Sequence, residues 1–286
     1  MSFSRVTIVG GRGFIGRALA KSFEKQGMEV VIPDRDDEGW PSEPAGLVIW
    51  AAGYTADYAE DPAATIRAHA ADLSTVLAQG TYEALVYLSS TRLYDGLDGR
   101  VDESTALRLD PAVPRHLYDL TKGLGEWLVR HTGGPRAHVA RLSGVYSDAL
   151  DGGSWLEEVL GRALDGDVAT LDVAPDAARD YVHIEDVVRA VQIIGERGET
   201  TVYNVASGEN VDNRTLLGLL SERTKAELTF AREPTGAIPP VVDVSRLRGL
   251  GVQPRALAEG IDRVLTWQDN QRAMRSMMGV TQMPWM

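Results

Sequence analysis

Over the first half of the chain, short apolar runs alternate with stretches whose apolar residues recur at helical spacing. Val6, Ile8 and Val9 make a β-branched run that predicts a buried parallel strand at 5–9. Ile15, Leu19 and Phe23 follow at intervals of four, which predicts a helix directly after it. Further apolar runs predict strands at 29–32, 47–53, 85–90 and 137–143. A helix is expected over 61–79, with Asp61 as N-cap and Pro62 in its first position, and another over 118–130. Gly, Pro and acidic residues mark loops at 35–46 and 95–114. Strand and helix in strict alternation imply an α/β, doubly wound parallel sheet, whose ligands lie beyond the C-terminal strand ends.

Past residue 147 the alternation loosens. Helices are expected at 155–164, 186–196 and 213–224, an extended piece at 179–183, a strand at 201–205, and one or two helices within 241–265. The methionine-rich end from 268 reads as a frayed helix with a disordered terminus.

Composition narrows the class. The chain has 286 residues, enough for one large domain with a smaller lobe. A formal charge of −12 disfavours a nucleic-acid groove, and the absence of cysteine excludes disulfides and thiolate chemistry. No metal is expected. No apolar run is long enough for a membrane helix, and the chain enters its first strand without a signal-peptide pattern, so a cytoplasmic protein is expected.

Between the first strand and helix stands Gly10-Gly11-Arg12-Gly13-Phe14-Ile15-Gly16. Gly11, Gly13 and Gly16 satisfy G-x-G-x-x-G, and Gly10, Gly13 and Gly16 satisfy G-x-x-G-x-x-G. Glycines let the backbone bend sharply and lie close to a ligand, and the helix N-terminus offers unpaired N–H groups to a pyrophosphate. Asp34 ends the second strand, at the distance where a dinucleotide site places an acid for the adenosine ribose. Ala51, Ala52 and Gly53 end the next strand in small residues that admit a flat ligand.

Tyr118 and Lys122 stand at i and i+4 of one helix and share a face. An ammonium beside a phenol is expected to lower the phenol pKa, fitting it to exchange protons with a hydroxyl or carbonyl. Ser89 and Ser90 end the preceding strand, where a hydroxyl could hold the same substrate oxygen.

These residues make the chain resemble the extended short-chain dehydrogenase/reductases, a group of nucleotide-sugar epimerases, dehydratases and ketoreductases. GGRGFIG resembles the family's glycine turn, WAAG its fourth-strand signature, LSSTRLY its S-S-x-x-V-Y and YDLTK its Y-x-x-S-K. RDYVHIEDVVRAV, YNVASG and VSRLRGLGVQPRALAEGI resemble its later segments, so the likeness spans about residues 5–267. The resemblance implies a Rossmann domain over 1–147 plus 184–206, a smaller C-terminal substrate-binding lobe over 148–183 plus 207–267, and a tail at 268–286. It implies that Tyr118 is the acid/base, that Lys122 holds the nicotinamide ribose, and that Ser90 orients the substrate oxygen. Cofactor contacts are implied for Gly10, Arg12, Gly13, Phe14, Ile15, Gly16, Asp34, Arg35, Ala51, Ala52, Gly53, Tyr118 and Lys122. Substrate contacts are implied for Ser90, Thr91 and Arg179, the last as a diphosphate ligand. A homodimer through helices 61–79 and 118–130 is implied as well.

Four departures qualify the likeness. The 34–47 connection is too short for a further strand and helix. Gly144 replaces an Asn that contacts phosphate, and His69 stands where the family often has Asn. Thr91 and Arg92 follow Ser90 where dehydratases place an acidic pair and decarboxylases a Glu. That disfavours elimination and leaves an epimerase or a ketoreductase acting on a nucleotide-linked sugar or a related hydroxy or keto compound. Asp34 favours NAD by repelling a 2′-phosphate, whereas Arg12 and Arg35 favour NADP; NAD is slightly preferred. The alternative is a catalytically silent dinucleotide sensor or scaffold on the same fold.

Overall fold

The computed structural model describes residues 3–34, 44–54 and 58–277. In chain order, β1 (Arg5–Val9) leads through the glycine turn into α1 (Phe14–Lys25), then β2 (Glu29–Val31) and β3 (Gly46–Trp50). Next come α2 (Pro62–Ile66), a π-helical turn at Arg67–Ala71, and α3 (Asp72–Gln79). β4 (Tyr82–Ser90) runs into a 3-10 turn at Thr91–Tyr94, followed by β5 (Arg100–Val101), α4 (His116–Thr132), β6 (Ala137–Leu142) and β7 (Gly144–Tyr146). Then follow α5 (Trp155–Asp165), β8 (Val168–Leu171), β9 (Ala178–His183), α6 (Ile184–Arg197), β10 (Val202–Val205) and β11 (Asn210–Asp212). The last elements are α7 (Asn213–Arg223), β12 (Glu227–Phe230), β13 (Val241–Val242), α8 (Ser245–Gly249) and α9 (Leu257–Met277).

The central sheet has six strands in the order β10-β6-β4-β3-β1-β2, and each pairing is parallel. Helices cover both faces, as the near-continuous apolar strands require. Leu19 and Phe23 of α1 and Val187, Val191 and Ile194 of α6 close one face over Ile8, Leu47, Ile49 and Val86. Leu73, Val76 and Leu77 of α3 and Val129 of α4 close the other over Val48, Trp50, Leu85 and Tyr87. This is the α/β, doubly wound arrangement expected. The strand order reverses at β1, whose neighbours are β2 and β3, so the glycine turn emerges at the switch point where such sheets bind ligands.

A second core gathers Leu156 and Leu160 of α5, Leu216 and Leu220 of α7, and Ile261 and Val264 of α9. Short pairs border it: β7 and β11 flank β9, and β8 pairs with β12. β5 pairs with β13, tying residues 100–101 to 241–242.

Three expectations need correcting. The single helix over 61–79 is interrupted by the π turn, although Asp61 caps it as expected, its side chain accepting from Ala64 N–H at 2.9 Å. The strand at 137–143 stops at Leu142, and the chain re-enters a different sheet as β7. The tail boundary at 268 falls inside α9, where Gln268 donates to the Asp148 carbonyl and Arg272 pairs with Asp165. The short connection after Asp34 lies mostly outside the described residues; among those described, the sheet ends at β2.

Candidate active site

The glycine turn fits a bound pyrophosphate. Gly10 adopts φ +82°, and a Cβ there would come within 2.6 Å of Ala52 N. Its close approach joins the turn to the end of β3. A Cβ on Gly16 would collide with the Gly10 carbonyl, so helix and turn can pack this tightly only with glycine. Gly13 is the N-cap of α1 with no side-chain cap, leaving the first-turn N–H groups of the helix to a ligand. Phe14 and Ile15 begin that turn, and the Phe14 ring reaches Gly152, just before α5.

Asp34 and Arg12 meet in an ion pair of 2.5 Å, both largely exposed. The carboxylate expected to repel a 2′-phosphate is thus neutralised by the residue expected to attract one. Arg35 lies outside the described residues.

Gly53 continues the path from the turn toward α4. A Cβ on it would lie 2.9 Å from His69 Nε2 and 3.3 Å from Lys122 Nζ. His69 is fully buried and accepts a hydrogen bond from Tyr54 N–H at Nε2, so Nδ1 carries the proton toward Thr121 Oγ1, at 2.8 Å. Burial, followed by the nearby Lys122 charge, lowers the His69 pKa to about 3, so the ring is neutral at ordinary pH. It sits on the π turn, a distortion that aims its ring edgewise at Tyr118, centroids 5.4 Å apart.

β4 separates the two serines by its alternation of faces. Ser89 Oγ turns inward and donates to Glu126 at 2.6 Å. Ser90 lines the cleft beside Tyr118, and its hydroxyl accepts from Arg92 N–H at 3.1 Å. Only Ser90, of the two, is placed to meet a substrate oxygen. Thr91 lines the same cleft but donates its hydroxyl to the Leu142 carbonyl.

Tyr118 and Lys122 share the buried face of α4, as their spacing predicts, but their electrostatics differ from expectation. Burial raises the Tyr118 pKa; the neighbouring Ser90 hydroxyl and then the Arg92 charge oppose that rise, while Asp119 adds to it. Lys122 is not among the groups that pull it down. Burial lowers Lys122 itself from 10.5 to about 7, with Glu126 opposing, and its ammonium donates to the Leu88 carbonyl at 2.9 Å. A lysine this deep loses the charge that the i, i+4 argument assumed.

Between pH 7 and 10.5 the unfolded chain holds the Lys122 proton and the folded chain does not, so stability rises with pH across that window. Below pH 7 the full cost of the buried ammonium is present. Replacing Lys122 with Met is therefore expected to stabilise the cofactor-free protein at pH 7 by about 2 kcal/mol or more while abolishing turnover, with the gain vanishing near pH 10.5. Urea unfolding at pH 7 and 10 checks it.

A cleft of ≈ 540 Å³ opens from Ser90 and Tyr118, lined on its other side by residues of α5 and β9. Its far wall carries Trp155, Arg179 and Asn210. Arg179 is exposed on β9 and has no carboxylate partner among the described residues, so its charge is available to the cleft. Gly144 lines the cleft where an Asn is common in the family, and a Cβ there would strike the Tyr181 ring at 2.9 Å. Tyr181 occupies the space that a larger residue would need.

A sequence model of the NAD dependent epimerase/dehydratase family matches residues 6–206, which include the glycine turn, β4 and α4. The chain belongs to this family. Its members act as the extended short-chain dehydrogenase/reductases that the motifs resemble. A curated dTDP-6-deoxy-L-talose 4-dehydrogenase (NAD(P)(+)) from Kitasatospora kifunensis is 28% identical, over 93% of this chain and 96% of its own length. A dTDP-glucose 4,6-dehydratase from Streptomyces griseus is 25% identical, over 66% of this chain, which spans only 60% of that relative's length. A solved UDP-glucose 4-epimerase with UDP-glucose, from Thermotoga maritima, shares the fold with a TM-score of 0.78 at 20% identity, over 93% of this chain and 99% of that one.

Sequence reasoning passed over Arg92 as a residue with a role of its own, noting it only for the carboxylate it replaces. It also passed over Tyr58 and Asp119, which enclose it. The pairing of these three depends on loop geometry, and no spacing rule reports it.

Proposed function

We propose that this family member is an NAD(P)-dependent epimerase or ketoreductase acting on a nucleotide-linked sugar. The observation that carries the reading is one continuous path: glycine turn, Gly53, Lys122, Tyr118 beside Ser90, and then a cleft walled by Arg179, which has no carboxylate partner among the described residues. A bound nicotinamide would supply hydride chemistry at its ring. The glycine turn would take the pyrophosphate, Lys122 the nicotinamide ribose, and Tyr118 and Ser90 the reacting oxygen. In the reducing direction Tyr118 gives its hydroxyl proton to the substrate oxygen and is left as phenolate; in the oxidising direction it takes that proton back. Ser90 holds the oxygen in line, and Arg179 suits a diphosphate by its forked donors. With Thr91 and Arg92 beside Ser90, no carboxylate is offered for dehydration there.

Purified protein should bind NAD(P)H and turn over a UDP- or dTDP-linked 4-keto or 4-hydroxy sugar. Loss of reduced-nicotinamide absorbance reads a ketoreductase; sugar inversion without net cofactor change reads an epimerase. Neither activity across such a panel would count against the proposal.

The exposed Arg12–Asp34 pair supports use of either cofactor, since pairs of this kind are weak and either partner can be recruited. Arg12→Ala is expected to weaken NADP⁺ binding about tenfold, a loss of one phosphate contact, while barely changing NAD⁺ binding. Titration calorimetry with both cofactors checks it.

Ile66, Leu124 and Trp127 are exposed on α2 and α4, which supports a homodimer through these helices. No helix among the described residues is long and apolar enough to cross a membrane, in keeping with a cytoplasmic enzyme.

A further inference from the structure

One cluster in the cleft is not used by the chemistry above. The Arg92 guanidinium lies over two adjoining phenol rings, 4.7 Å from the Tyr118 ring centroid and 5.1 Å from that of Tyr58. It is held there on several sides. Nη2 donates to the Tyr58 hydroxyl and the Arg115 carbonyl, each at 3.3 Å, and Nε lies 3.4 Å from the buried Asp119 carboxylate. Tyr58 in turn meets Tyr118 edge to face at 5.6 Å. An arginine side chain has many rotamers, and on this half-buried 3-10 turn one is held by contacts from Tyr58, from Arg115 and from Tyr118 and Asp119 on α4.

We propose that Arg92 is a positioning residue for Tyr118: stacked on the ring face, it fixes the phenol against Ser90 and supplies the permanent cation that favours the phenolate formed in turnover. This rests on the functional reading given above. The charges around Tyr118 leave Arg92 that part. His69, on the π turn, is neutral. Lys122 is only partly charged near neutral pH, and one of its N–H groups is directed away to the Leu88 carbonyl. Tyr87, beneath on β4, is held protonated by burial. Asp119 opposes the phenolate but is itself paired with Arg92. When Tyr118 surrenders its proton to the substrate oxygen, the new negative charge therefore forms beside one guanidinium that cannot itself deprotonate.

The test is an ultraviolet difference titration of tyrosinate in the cofactor-free protein, with the Tyr118→Phe protein subtracted to isolate this phenol. Arg92→Gln is expected to move the Tyr118 midpoint upward by about one pH unit, a tenfold loss of phenolate at a given pH, and Arg92→Lys to recover most of it. On a sugar substrate, Arg92→Gln should lower kcat about tenfold with KM unchanged. An unmoved midpoint in Arg92→Gln would overturn the proposal, as would a raised KM with unchanged kcat, which would make Arg92 a substrate contact. Because the titration needs no substrate, it speaks for Arg92 even if the sugar chemistry is misassigned; turnover by Tyr118→Phe would defeat that assignment separately.

Discussion

Tyr118→Phe is expected to lower kcat by about 10³-fold while leaving NAD(P)H affinity and the unfolding midpoint close to wild type. The substitution removes one oxygen from a side chain that lines the cleft together with Ser90. Ring packing against His69 and Tyr58 is retained, since both contacts are made by the aromatic edge or face. The size follows from proton transfer: without the phenol, the alkoxide formed at the substrate oxygen must find its proton in water. Single-turnover kinetics with bound reduced cofactor separate this chemical loss from any change in binding. A fall of less than tenfold would mean that another group carries the proton.

The largest stability effect is expected behind the site. Glu126 on α4 and Arg141 on β6 form a doubly hydrogen-bonded pair, at 2.6 and 2.8 Å, with both side chains almost completely buried. Ser89 donates to the same carboxylate, and Arg141 donates to the Tyr94 hydroxyl, which donates to Asn204. The pair thus ties β4, α4, β6 and β10 together directly beneath Ser90. Glu126→Gln keeps the shape and leaves Arg141 buried without its countercharge, a change expected to cost about 3–5 kcal/mol. Replacing both residues with apolar ones of similar volume should recover most of that loss, because the desolvation penalty disappears with the charges. Denaturant unfolding of the single and double variants reads this difference.

The sheet was legible because its strands are buried on both faces and so print continuous apolar runs, as in Leu47-Val48-Ile49-Trp50. The glycine turn was legible for a different reason: Gly10 and Gly16 stand where a Cβ has no room, and that demand leaves a spacing in the sequence. β8 and β12 left no such trace. Val168 and Glu227 face solvent at the edge of a two-stranded pair, and four-residue strands of mixed polarity resemble loop. The π turn depends on one extra residue per turn near His69, which no periodicity over so short a stretch resolves.

At the site, spacing correctly placed Tyr118 and Lys122 on one face and Ser90 beside them. It failed on their charges, because helical proximity says nothing of depth. Lys122 lies under β4 rather than at the surface, and burial outweighs its neighbour's field. The cofactor reading weighed Asp34 for NAD against Arg12 and Arg35 for NADP, and the structure pairs that Asp34 with Arg12 across the turn.

A crystal structure with NAD⁺ and a UDP-sugar bound tests the account as a whole. The pyrophosphate should lie on the α1 N-terminus beside Gly13, the nicotinamide ring beside Tyr118, and the sugar oxygen within hydrogen-bonding reach of both Tyr118 and Ser90, with the diphosphate at Arg179. A dinucleotide seated away from the glycine turn, or a sugar whose oxygens do not reach Tyr118, would contradict it.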